Sequence, residues 1–130
     1  MLSHARILVV EDETFIALEL SDAIEAAEGE VVGPTKSVAE AIQVIDHDGI
    51  DGAILDRTLL DGKVTPVAAM LIERAIPFIF YSGSSPDRLK EEFPAVKVFQ
   101  KPTAPEHLVQ ALADIISPDR TPLCSDGQGE

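Results

Sequence analysis

Short β-branched apolar runs recur five times along the chain, and each is followed by a stretch whose apolar residues return every three or four positions. Arg6-Ile7-Leu8-Val9-Val10, Glu30-Val31-Val32-Gly33-Pro34, Gly52-Ala53-Ile54-Leu55, Phe78-Ile79-Phe80-Tyr81 and Val96-Lys97-Val98-Phe99 read as strands. The first, third and fourth are apolar almost throughout, as strands covered on both faces are. Ile16, Leu20, Ala23, Ile24 and Ala27 predict a helix from about Thr14 to Glu28, which Gly29 interrupts. Ser37 with Glu40 three residues on forms a capping box ahead of Val38, Ala41, Ile42 and Ile45, so a second helix runs to about Asp46. Val64, Ala68, Leu71 and Ala75 mark a third, with Pro66 in its first turn. Pro86 to Phe93 makes a short fourth, and Pro105, Leu108, Val109, Leu112, Ile115 and Ile116 a last one. Strict alternation of this kind implies an α/β fold: a doubly wound five-stranded parallel sheet in the order 2-1-3-4-5, joined by right-handed crossovers.

At 130 residues the chain is expected to form one domain over 1–117, followed by a disordered tail over 118–130 that is rich in Pro, Asp, Ser and Gly. The apolar runs are far too short for a membrane span, and Met1-Leu2-Ser3-His4-Ala5-Arg6 has no signal-peptide pattern, so a cytoplasmic location is expected. The one cysteine, Cys124, has no partner in the chain for a disulfide. A net charge of −13 argues against nucleic acid or an anionic membrane as partner.

In a doubly wound sheet the chemistry sits beyond the carboxyl ends of the strands, at the point where strand order reverses. The first strand ends at Glu11 and Asp12, the third at Asp56, the fourth at Ser82 and the fifth near Lys101, just before Pro102. Singly, each has an ordinary reading: Asp12 a helix cap, Ser82 a turn former, Lys101 a surface charge. With the order 2-1-3-4-5, the first and third strands are neighbours, and three carboxylates share one crevice. Two charges about 4 Å apart repel by roughly 4 kcal/mol at an effective dielectric near 20, which favours a counter-ion. Oxygen ligands without His or Cys point to a hard cation, Mg²⁺ rather than a caged Ca²⁺. A hydroxyl and a lysine beside such a site are the parts needed for phosphoryl transfer to a carboxylate.

Over residues 5–116 this pattern resembles the receiver domain of two-component response regulators, a flavodoxin-like (βα)5 fold. The resemblance implies that Asp56 is the phosphoacceptor and Ser82 the switch hydroxyl, and that Lys101 is the lysine that pairs with the phosphoryl group. It implies a Mg²⁺ site of Glu11, Asp12, Asp56 and the Thr58 backbone carbonyl. It further implies a sensor histidine kinase or histidine phosphotransfer protein as donor, with output through the face of helix four, strand five and helix five, or by phosphate relay or sink. Pro77-Phe78-Ile79-Phe80-Tyr81-Ser82-Gly83 is similar to the Pro-Phe-x-Phe-Ala-Thr-Gly segment of an alphaproteobacterial subgroup of often single-domain receivers, with Tyr81 and Ser82 in place of Ala and Thr. Two positions depart from the common pattern: Val98 stands where an aromatic residue is usual, and Leu60 where proline is frequent. Gly83 leaves room for a phosphodonor or water, so efficient transfer and rapid hydrolysis are expected.

Rival readings are weaker. A haloacid-dehalogenase-like phosphatase places a second Asp two residues after the nucleophile, and that position is Thr58. Flavin binding needs a hydroxyl- or glycine-rich phosphate loop after the first strand, where Glu11-Asp12-Glu13 would repel a phosphate. A receiver-fold binding module that is never phosphorylated stays open at this point. The chain is thus read as a signalling phosphoacceptor and not as an enzyme with a separate substrate.

Overall fold

The computed structural model describes residues 2–59, 62–83 and 87–120, apart from the side chains of residues 58, 87–89 and 117–120. The elements run β1 (Arg6–Val10), α1 (Thr14–Ala26), β2 (Glu30–Thr35), α2 (Val38–His47), β3 (Gly52–Leu55), β4 (Thr58–Leu59), β5 (Gly62–Lys63), α3 (Thr65–Glu73), β6 (Phe78–Ser82), α4 (Asp87–Glu92), β7 (Val98–Gln100) and α5 (Pro105–Arg120). Five strands form one sheet in the order β2-β1-β3-β6-β7, every neighbouring pair parallel. Once the two-residue strands β4 and β5 are set aside, this is the expected 2-1-3-4-5.

Alternate residues of each central strand enter opposite layers, which is why those strands read as unbroken apolar runs. Leu8, Val10, Ala53, Leu55, Phe78 and Phe80 pack with Ala41 and Ile45 of α2 and Val67, Ala68 and Leu71 of α3. Ile7, Val9, Ile54, Ile79 and Tyr81 pack on the other face with Leu20 and Ile24 of α1 and Leu108, Leu112 and Ile116 of α5. Phe80 stands edge-on to Phe78, with ring centroids 5.4 Å apart. The capping box forms with one change: the Glu40 N–H donates to Ser37 Oγ at 3.1 Å, but the Glu40 carboxylate accepts from the Lys36 N–H at 3.2 Å.

Beyond shifts of one or two residues at helix ends, three features differ from expectation. The stretch after Asp56, read as a loop, contains an antiparallel hairpin pairing Thr58 with Lys63 and Leu59 with Gly62. Two-residue strands are too short to leave a periodic signal. The last strand begins at Val98 instead of Val96, because the Val96 N–H is taken by the Phe93 carbonyl in a turn that closes α4. Helix α5 runs to Arg120, past the expected end of the domain at 117; the rest of the proposed tail, 121–130, lies outside the described residues, as does Leu60. Among the described residues no helix is long and apolar enough to cross a membrane.

Candidate functional site

The register of the sheet carries the acids together. Val10 pairs with Leu55, so the next residue of each strand, Glu11 and Asp56, leaves the sheet side by side. The Asp56 N–H still donates to the Val10 carbonyl at 2.9 Å, holding that exit point. On the other flank of β1, the Glu11 N–H donates to the Thr35 carbonyl at 2.9 Å. A bulge in β2 makes this bond possible: Leu8 pairs with Val32 but Val10 with Thr35, so an extra residue is accommodated around Gly33 and Pro34. Gly33 sits there at φ +94°, where a Cβ would come within 2.7 Å of the Thr35 nitrogen.

Ligand oxygens of Glu11, Asp12 and Asp56 all lie within 4.8 Å of one another. Asp12 is not spent as a helix cap, since α1 is entered through Glu13 with no side-chain capping bond. Lys101 lies between the other two acids, its Nζ 3.0 Å from Glu11 Oε1 and 3.3 Å from Asp56 Oδ2. The remaining oxygen of each is held by backbone: Glu11 Oε2 accepts from the Glu13 N–H at 3.1 Å, and Asp56 Oδ1 from the Arg57 N–H at 2.7 Å. The Asp56 side chain keeps 12% of its surface exposed, whereas that of Glu11 keeps 2%.

Burial is the main force on Glu11 and pushes its carboxyl up to about 7 from the usual 4.5. The Lys101 hydrogen bond works the other way, and the nearby Asp56 charge adds to the rise. For Lys101, burial opposes the charge, yet Glu11 and Asp56 outweigh it and hold the ammonium above its ordinary value. The site is thus a carboxylate-rich cluster that holds the Lys101 ammonium, more exposed at Asp56 than at Glu11. Its donor set is all oxygen, which fits a hard divalent ion.

Ser82 ends β6, is buried, and its carbonyl accepts the Lys101 N–H at 2.8 Å, tying the ends of β6 and β7 together. Thr58 opens the hairpin two residues after Asp56; its side chain lies outside the described residues. Gly83 borders Lys101, whose Cδ would stand 3.8 Å from an added Cβ. Glu11, Asp12, Asp56, Ser82 and Lys101 therefore lie together at the carboxyl edge of β1, β3, β6 and β7, and Thr58 follows Asp56 in β4. Two features were not legible from spacing: the inward turn of Glu11 onto Lys101, and Tyr81, whose hydroxyl reaches the backbone of Thr103.

With this geometry in hand, similarity to known structures decides the family. The chain is 41% identical to SdrG from Sphingomonas melonis Fr1, covering 85% of this chain and 95% of that one at a TM-score of 0.74. A second structure, the BeF3-activated conformation of SdrG from Pseudomonas melonis Fr1, matches at 40% identity over 89% and 99% of the two chains, with a TM-score of 0.72. The CheY-like response regulator receiver domain protein from Methanospirillum hungatei JF-1 shares the fold at 21% identity, 89% and 96% coverage and a TM-score of 0.78. The chain belongs to the response regulator receiver domains. No protein-family model and no curated protein matched it. Within the receiver fold, the acidic pocket of Glu11, Asp12 and Asp56 occupies the switch point between β1 and β3.

Proposed function

We propose that this receiver accepts a phosphoryl group from a phosphohistidine donor onto Asp56, in a reaction that needs Mg²⁺. The observation that carries this reading is the convergence of three carboxylates within 4.8 Å with Lys101 bridging Glu11 and Asp56. Asp56 is the acid whose oxygens combine partial exposure with a fixed orientation, one donor holding each. An Asp56 carboxylate oxygen attacks phosphorus, an O–P bond forms, the P–N bond to the donor imidazole breaks, and the electron pair returns to that nitrogen. Lys101 faces the same carboxylate and balances charge on a transferred oxygen. Glu11, Asp12, Asp56 and the Thr58 carbonyl would hold Mg²⁺; when bound, it would neutralise charge on the phosphoryl oxygens.

Ser82 is the hydroxyl that would follow the phosphoryl group, and a contact made in only one state can bias a two-state equilibrium. The Ser82 carbonyl to Lys101 N–H bond would carry such a shift into β7 and the neighbouring α4 and α5. The partners on this reading are a sensor histidine kinase or phosphotransfer protein, and a downstream protein at the face of α4, β7 and α5, in the cytoplasm. The reading treats the chain as a signalling phosphoacceptor without turnover of a separate substrate.

Beryllofluoride, the phosphoryl mimic named for the SdrG conformation, provides the test. With Mg²⁺ present it is expected to move the amide resonances of Asp56, Ser82 and Lys101, and to leave Asp56→Asn unchanged. An unchanged wild-type spectrum would favour a receiver-fold binding module that is not phosphorylated.

A further inference from the structure

Tyr81, the one tyrosine of the chain, immediately precedes Ser82 on β6. Its ring is buried, 6% exposed, in the layer formed with α1 and α5. Its hydroxyl donates to the Thr103 carbonyl at 3.0 Å and accepts the Thr103 N–H at 3.0 Å, so both backbone groups of one residue end on one side-chain oxygen. The next residue, Ser82, accepts the Lys101 N–H at 2.8 Å through its carbonyl. Two consecutive residues of β6 thereby hold both ends of the segment from Lys101 to Thr103. The Lys101 Nζ also lies 5.6 Å from the Tyr81 ring centroid, within cation–π range, while reaching Glu11 and Asp56.

Packing alone does not call for this residue: a phenylalanine would fill the same apolar space without a hydroxyl to satisfy. A lysine, by contrast, is a flexible chain with a point charge at its end, and a fixed backbone origin and a ring along its path restrict where that charge can go. We propose that Tyr81 is a positioning residue for Lys101, its hydroxyl fixing the 101–103 connection and its ring flanking the ammonium, so that Nζ stays over Asp56. This deepens, and rests on, the reading of Asp56 as phosphoacceptor.

The test compares full-length wild type, Tyr81→Phe and Tyr81→Leu at saturating Mg²⁺ and acetyl phosphate, following phosphate gain by intact mass. Tyr81→Phe keeps the ring and loses both hydrogen bonds; it is expected to slow transfer by roughly tenfold, since small misplacements of a catalytic group can cost up to about 10²-fold. Tyr81→Leu, which also loses the ring, is expected to be at least as slow. In Tyr81→Phe the Thr103 amide should lose protection from hydrogen exchange and the Lys101 ¹³Cε resonance should move, with the amides of β1 and β3 unshifted. An unchanged rate, or a slowed one with the Lys101 resonance unmoved, overturns the proposal. Should the wild type take up no phosphate, the phosphoacceptor reading fails, and the Lys101 resonance still decides: displaced in Tyr81→Phe it supports positioning by Tyr81, unmoved it refutes it.

Discussion

Glu11 carries its charge with difficulty, because its side chain is buried and the Asp56 charge lies nearby, and the Lys101 hydrogen bond only partly offsets both. Its folded pKa, about 7, lies above the ordinary 4.5, so between those values the folded chain keeps a proton that the unfolded chain releases. The stabilisation from that proton is full below about pH 4.5 and is lost as pH rises through about 7. Urea denaturation of the Mg²⁺-free protein at pH 5 and pH 8, compared with Glu11→Gln, checks this: the wild type should lose stability relative to the variant at pH 8. An equal pH response in both would assign the slope to other groups. That Glu11 is the inward acid could not be read from Glu11-Asp12-Glu13, where three adjacent carboxylates look alike. The direction comes from the Lys101 ammonium and the Glu13 N–H, contacts that a linear pattern does not encode. Asp56 and Ser82 were legible because each ends an apolar run, and Lys101 because it follows the last strand just before Pro102, whereas Tyr81 was hidden by a partner 22 residues away that is backbone.

Among the elements, β2 matters more than its position at the sheet edge suggests. Its bulge at Gly33 and Pro34 aims the Thr35 carbonyl at the Glu11 N–H, and Gly33 holds the positive φ that this requires. Gly33→Ala is expected to cost about 1–3 kcal/mol, from strain at φ +94° and a Cβ crowding the Thr35 amide. A urea midpoint equal to wild type would contradict this. Strand and helix identities were legible wherever burial on both faces or a 3.6-residue period left a pattern. The β4–β5 hairpin left none, and β7 starts two residues late because a local turn claims the Val96 N–H. Val98 and Phe99 of β7 enter opposite layers, Val98 against the α2–α3 side and Phe99 against the α1–α5 side where Tyr81 lies.

At the scale of the whole molecule, strand order is what turns four unremarkable strand ends into one site. Alternating elements imply a parallel sheet, and the order β2-β1-β3-β6-β7 then sets β1 beside β3 and β6 beside β7. The chain carries a net charge of −13 and its candidate site is itself acidic, so on the proposed reading a divalent cation must offset that charge before a phosphoryl group can be tolerated. Mg²⁺ should therefore be required for any chemistry at Asp56, and a chelator should abolish it. The central claim is that Asp56 takes the phosphoryl group, and intact-mass analysis after incubation with Mg²⁺ and acetyl phosphate tests it most directly. The account predicts one phosphate on the wild type and none on Asp56→Asn; no phosphate on the wild type, or equal phosphate on both, would contradict it.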